Sequence, residues 1–290
     1  MMWLLTVLVL ADSATTARIP VAPAESLAVT IRGAGPAIVF LPGPFGSGFA
    51  FRNVTAALAE RGYQTIVVEP LGVGLSSRPK DADYSLTAQA ERVGRTMDAL
   101  QVTGALVVGH AVGASIAYRL ALARPEHVRA ILSIEGGPTE SATTPGFRTV
   151  MRFAPMLKLL GVDLLRRRLR RGLMAATSDT TWLTEDVVDG YIAGADRDFG
   201  ATVDAYKGMA NSEEPYVLAE RLPEIAIPVL VILGAVPHRS APTAQEISLL
   251  GTSLPLVRID TVPNVAHFPH EERPGVLVAA LLRLEQMSVP

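Results

Sequence analysis

The 290-residue chain contains no cysteine, which excludes disulfides and thiolate chemistry while leaving the compartment open. It also lacks a dominant charge. Lys and Arg number 26 against 28 Asp and Glu, for a formal net charge of -2. That balance gives no reason to expect nucleic acid or an acidic ligand as partner. After residue 10 no apolar stretch could cross a bilayer, and internal repeats and low-complexity linkers are missing. What is present is 49% hydrophobic residues, ample for one substantial core. The length suits a single large domain or a core with an inserted subdomain.

The start, MMWLLTVLVLADSATTA, carries an apolar run over residues 1–10 followed by small residues. Its length fits the apolar region of a signal peptide and is too short to span a membrane. The basic n-region is missing, because no Lys or Arg precedes Arg18. Residues 1–20 are therefore read either as a signal-like segment or as an apolar extension packed on the core. Both a cytoplasmic and an exported location stay open.

Alternation in LAVTIRG (27–33) predicts a strand, and AIVFLPG (37–43) is continuously apolar, as a strand covered on both faces would be. A helical stretch over 50–61 leads to the strand QTIVVEP (64–70). An amphipathic helix follows with Ser85 as its N-cap. ALVVGH, VGASIAYRLALARP and VRAILSIEGG then read as strand, helix and strand. This alternation implies a parallel sheet with helices on both faces. After Gly137 the pattern becomes helical only until about Glu214, and strands resume at 227–234 and 254–262 before a closing helix. The reading divides the chain into a core of residues 21–137 and 215–290 and a helical cap of residues 138–214.

At the junction of the third buried strand and its helix stands VVGHAVGASIA, residues 107–117. Gly109 and Gly113 flank a central position by two residues on each side, the spacing of a nucleophile elbow, G-x-S-x-G. The glycines are needed because side chains there would collide with the adjoining strand and helix. The serine is absent: the central residue is Ala111. The Val112 N–H, at the helix N-terminus, is placed to meet a developing oxyanion. Taken alone, the glycine pair favours an ordinary strand-to-helix turn.

Three further stretches narrow the choice. LPGPFGSGFAFRNVTAAL (41–58), EPLGVGLSSRPKDADYSL (69–86) and VPNVAHFPHEERP (262–274) resemble, in this order, the oxyanion loop, the loop after the fourth strand and the histidine loop of alpha/beta-hydrolase-fold enzymes. The resemblance runs from about Leu27 to Glu285 and implies an α/β fold, a mostly parallel central sheet with helices on both faces and an inserted helical cap. It implies a serine ester or lactone hydrolase without cofactor or metal, and His267 as general base. Of the other histidines, His110 sits inside the elbow with its side chain directed away. His238 and His270 have looser claims, and His127 reads as a surface residue.

Most of that family carries its acid after the strand that follows the cap. Here the loop LGAVPHRSAPTAQE has no carboxylate between Gly234 and Gln245. Glu135, at the end of the strand before the cap, is the alternative, because catalytic groups of open parallel sheets gather at that carboxyl edge. A charge at the end of an apolar strand needs a partner, and His267 would be one. A solvated turn glutamate is the competing reading. An acid in this position is similar to the arrangement in zearalenone lactonases, which share the HFP histidine loop, and in haloalkane dehalogenases. Dehalogenation is disfavoured because the residue after the elbow centre is Val112 rather than tryptophan, and the first loop lacks His-Gly-Asn.

In the oxyanion loop Pro44 has no N–H to donate, so Phe45 is named as the second donor. Phe45, Trp182, Tyr191 and Phe268 are expected to line an apolar substrate pocket, and Phe199 is a further aromatic available to it, although core packing would explain each equally well. The arginines at 166, 167, 168, 170 and 171 read as a solvated helix face, with contact to an anionic membrane surface as the alternative. Two functions follow. One is an ester or lactone hydrolase with a Ser-His-Glu triad, in which Ala111 is an inactivating Ser→Ala substitution of the kind used to trap an uncleaved substrate. The other is a naturally non-catalytic small-molecule-binding protein on the same fold.

Overall fold

The computed structural model describes residues 14–43, 47–142, 148–149 and 151–288. Eight strands form one sheet in the order β1-β2-β4-β3-β5-β6-β7-β8. They are β1 (Thr15–Ala22), β2 (Glu25–Arg32), β3 (Ala37–Leu41), β4 (Gln64–Glu69), β5 (Ala105–His110), β6 (Val128–Ile134), β7 (Val229–Gly234) and β8 (Val257–Val262). β2 pairs antiparallel with both β1 and β4, and every other pairing is parallel.

The apolar runs become strands because both faces of the central sheet are covered. Residues of β5 alternate between two layers. Val107 packs with Ala90, Val93 and Met97 of α2 (Leu86–Ala99) and with Ile116 and Leu120 of α3 (Val112–Ala123). Leu106 and Val108 face the other way, toward Val54 and Leu58 of α1 (Arg52–Ala59) and toward Leu277 and Leu281 of the last helix (Pro274–Ser288). All six residues of β5 are buried. Ser85 caps α2 as expected, its side chain accepting from the Ala88 N–H.

Between β6 and β7 the described chain is helical: α4 (Ala154–Ala175), α5 (Glu185–Arg197), α6 (Phe199–Asn211) and the short α7 (Leu218–Arg221). α4 departs from helical geometry at Gly161, where φ is 74°. Leu173 of α4 and Val187, Val188 and Tyr191 of α5 pack with Ala50 and Phe268 of the sheet domain, forming a separate apolar cluster. Among the elements without counterparts in the sequence reading are the edge strand β1 and α8 (Ala244–Ser253), which joins β7 to β8 and opens on a capping box between Thr243 and Glu246. α9 (Pro269–Glu272) and α10 (Pro274–Ser288) complete the chain. Residues 1–13, which include the apolar run 1–10, lie outside the described residues. Among the described residues no helix is long and apolar enough to cross a membrane.

Candidate active site

The turn after β5 has the geometry that its glycines imply. Ala111 is held at φ 51° and ψ -119°, between the last residue of β5 and the first of α3. For a residue with a Cβ, the left-handed region costs about 1–2 kcal/mol. It is retained because the flanks fit too tightly to relax. A Cβ on Gly109 would lie 2.4 Å from the Ala114 nitrogen, and one on Gly113 would lie 2.1 Å from the Leu41 carbonyl oxygen. Gly113→Ala should therefore destabilise the protein by about 3 kcal/mol or more, since backbone rather than a flexible side chain must give way. Urea denaturation checks this, and an unchanged midpoint would refute the tight packing of the elbow.

The Val112 N–H begins α3, where it has no intrahelical partner. The first loop approaches it closely: a methyl on Gly43 would lie 3.9 Å from the Val112 nitrogen and 3.8 Å from Ala111 Cβ. Pro44 and Phe45 lie outside the described residues, so the expected second donor does too.

A second strained residue stands one strand over. Glu135, directly after β6, has φ 50° and a side chain only 1% exposed. Its Oε1 accepts the Gly234 N–H. Its Oε2 lies 3.7 Å from His267 Nδ1 and 3.0 Å from His238 Nε2. Burial alone would raise this carboxyl, but interactions with His238 and His267 and the Gly234 N–H bring it down to about 2. Burial holds His267 below its ordinary value despite the Glu135 carboxylate, which keeps the imidazole neutral at pH 7 and able to accept a proton. The nearest other carboxylates along the chain are engaged elsewhere: Asp260 pairs with Arg258 and Arg283, and Glu246 caps its own helix.

Sequence reasoning gave His238 only a looser claim as general base, yet the fold sets it against the Glu135 carboxylate, with its ring centroid 5.1 Å from that of His267. Its position was a usable signal, because it follows β7 on the loop where the resemblance leads one to expect the acid. His110 donates from Nε2 to the His267 carbonyl oxygen at 2.9 Å. His127 departs from expectation. It is 2% exposed, with Nδ1 2.7 Å from the Val102 carbonyl and Nε2 2.9 Å from Asp98. Polar partners from the end of α2 and the loop after it hold a buried ring that the local sequence places at the surface.

His110 and His270 are packed ring to ring, with centroids 4.4 Å apart. Burial, reinforced by the neighbouring His267, lowers His110 to about 3, and burial holds His270 well below its ordinary value. Both rings are neutral in the folded state, whereas the unfolded chain takes up protons below about pH 6.5. Their contribution to stability is thus complete above pH 6.5 and declines as pH falls below it, for His110 by roughly 1.4 kcal/mol per pH unit down to about pH 3. Urea midpoints measured from pH 7 to pH 4 should fall, and His110→Leu should flatten that slope by about one proton. Parallel profiles would contradict the assignment.

Above the sheet edge lies a cavity of about 1010 Å³. Ala111, Val112, Glu135 and His267 form its floor, and Leu165, Leu169 and Leu173 of α4 lie among the apolar residues of its walls. Tyr191, Phe199 and Phe268 line it too. Trp182 does not. Its indole N–H donates to Thr177 Oγ1 at 3.0 Å, and its ring packs behind Phe268 at 5.7 Å. The Tyr191 hydroxyl donates to Glu271, which also binds Arg52 at 2.6 Å, so this wall rests on a partly buried ion pair. Within the arginine run, Arg166 and Arg170 pair with Glu185 of α5, Arg166 also with Asp189, and Arg168 borders the cavity. Such exposed pairs add little stability, but they leave less free positive charge for a membrane surface.

This architecture is shared with known proteins. An epoxide hydrolase from Caballeronia sordidicola is 37% identical over 111 residues, 38% of this chain and 33% of that enzyme. The chain spans only 33% to 41% of the length of the curated relatives that it matches at 34% to 37% identity. Among solved structures, the epoxide hydrolase CorEH superposes with a TM-score of 0.78 at 20% identity, covering 94% of this chain and 98% of the other. A thermophilic esterase from Thermogutta terrifontis gives 0.76 at 17% identity, covering 95% and 99%. At those identities the structures bear on the fold alone. The family model described as alpha/beta hydrolase fold matches residues 36–274, and with the sheet order, the elbow after β5 and the hydrolase-named relatives it establishes that this chain belongs to the alpha/beta hydrolase fold family.

Proposed function

We propose that the cavity takes a largely apolar carboxylic ester or lactone. The site beneath it is an acyl-transfer site of Ser-His-Glu type in which position 111 carries alanine. The observation that carries this reading is the elbow itself. Ala111 keeps a strained backbone that serves no purpose for a methyl group, and it borders the same cavity floor as His267 and Glu135. In the scheme these residues suit, a serine at 111 attacks the carbonyl carbon while His267 takes its proton. The tetrahedral oxyanion is met by the Val112 N–H, and Glu135 stabilises the imidazolium. Curated relatives named as hydrolases support hydrolysis as the class of reaction.

As the chain stands, the reaction has no nucleophile at the elbow, and it should hold its ester uncleaved. Ala111→Ser tests the reading. A fluorophosphonate probe should attach covalently to residue 111 of the variant, located by mass spectrometry of the digested protein, and should not attach to the unmodified chain. One observation favours the other reading, a binding protein without catalysis. The His267 Nδ1 to Glu135 distance of 3.7 Å is too long for a hydrogen bond. A folded Ala111→Ser protein that stays unlabelled would decide for it.

A further inference from the structure

Beside the main cavity lies a smaller one of about 380 Å³, and its walls are basic. Arg148, Arg152 and Lys207 line it with the polar Thr149 and Asn211, and no carboxylate is among the described residues that border it. Cations gathered around one small volume repel one another unless a counter-charge sits between them. The protein does not supply that charge. Among the described residues Arg148, Arg152 and Lys207 form no ion pair, and Asp204, one turn before Lys207 on α6, pairs with Lys80 instead. The excess is local, because the whole chain carries a net charge of -2.

Arg148 and Met151 border this pocket and the main cavity alike, so the two volumes adjoin. The main cavity has the same bias. Its carboxylates are engaged: Glu135 faces His238, Glu140 binds Arg119 at 2.7 Å, and Glu246 caps α8. Arg168 and Arg239 also line it, and among the described residues they form no ion pair. We infer that the basic pocket binds an oxyanion, a carboxylate or a phosphate, at the far end of a ligand whose apolar body fills the main cavity. The inference rests on the reading of that cavity as the site of an apolar ester, and it narrows the substrate to amphipathic esters. Guanidinium groups match the geometry of either oxyanion. The three side chains are exposed, so each contact is weak and only their sum discriminates.

The test is binding by the unmodified chain, which requires no catalysis. Monomethyl esters of linear dicarboxylic acids of increasing length are titrated in a calorimeter beside the neutral dimethyl esters. Linear fatty acids and monoalkyl phosphates form two further arms. Beyond the length that reaches the pocket, the half-ester should bind about tenfold or more tighter than its dimethyl ester. That advantage should shrink as salt is raised from about 0.02 M to about 0.5 M. With Arg152→Gln and Lys207→Gln together, the ratio of the two affinities should fall toward one. Arg167→Gln, which removes a cation outside both cavities, should leave the ratio as it is. Whichever of the carboxylate and phosphate series binds tighter identifies the oxyanion, and either supports the pocket. Fatty acids bound through Lys207, with no ester bound, would sustain the pocket and refute the ester reading. Dimethyl esters that bind as tightly as the half-esters at every length would overturn the pocket and leave the ester reading intact. A ratio unchanged in the folded double variant would also overturn it. So would variants that weaken only binding to phosphatidylserine vesicles, which would assign these charges to a membrane surface.

Discussion

Replacing Ala111 by serine should raise hydrolysis of short activated aryl esters roughly a thousandfold or more over the unmodified chain. The size of the gain follows from how a nucleophile and its base act. Either one alone contributes little, so removing the hydroxyl forfeits nearly everything that the histidine could add. Here the backbone needs no rearrangement to receive the hydroxyl. Ala111 already has the elbow conformation, with φ 51° and ψ -119°, and the flanking glycines hold it there. Burial keeps His267 neutral at pH 7, the form that can accept the serine proton. The unmodified chain retains only the Val112 N–H and an imidazole without a partner nucleophile, which supports weak background hydrolysis at most. Rates should be compared with folding checked. Equal rates in the two proteins would leave the Ser-His-Glu reading without support and favour binding without cleavage.

How far these features could be read from the sequence depended on whether local pattern or tertiary contact decided them. β3, β4, β5 and β6 were legible because burial on both faces writes a continuous apolar run, and the Ser85 cap was legible because capping is local chemistry. β1 was not. Its residues are mostly exposed or half-buried, it contains Pro20, and its register shifts between Pro20 and Ala22, so no alternation survives in TTARIPVA. α8 carried a readable sign in Thr243 and Glu246, which have the spacing of a capping box.

Site residues divide the same way. The elbow spacing put Ala111 and Val112 in place, since two glycines around a strand-to-helix turn constrain the backbone directly. Glu135 and His267 could be paired only through the expected sheet order. His238 escaped because its partner, Glu135, belongs to another strand, and His127 because the Val102 carbonyl and Asp98 enclose it from outside its own segment. Trp182 illustrates the limit for aromatics: residue type places it near an apolar pocket, but only packing puts it behind Phe268 instead of in the wall. Phe45 lies outside the described residues, so the second oxyanion donor rests on the sequence alone.

In the Ala111→Ser background, Glu135→Gln should lower kcat by about a hundredfold or more with little change in KM. The carboxyl of Glu135, held down at about 2, is ionised throughout the working range of a neutral hydrolase. Its negative charge matters little while His267 is neutral and much once the imidazolium forms, which happens only on the way to the transition state. That asymmetry predicts a fall in kcat rather than weaker binding. Glutamine preserves shape and can still accept the Gly234 N–H, so a folded variant isolates the charge. Asp260→Asn provides the comparison, because Asp260 pairs with Arg258 and Arg283 rather than with any histidine of the site. If Asp260→Asn proved the more damaging of the two, the acid would not be Glu135. If Glu135→Gln instead raised KM at constant kcat, the carboxylate would belong to substrate binding, because a group that only stabilises the imidazolium has nothing to offer the ground state.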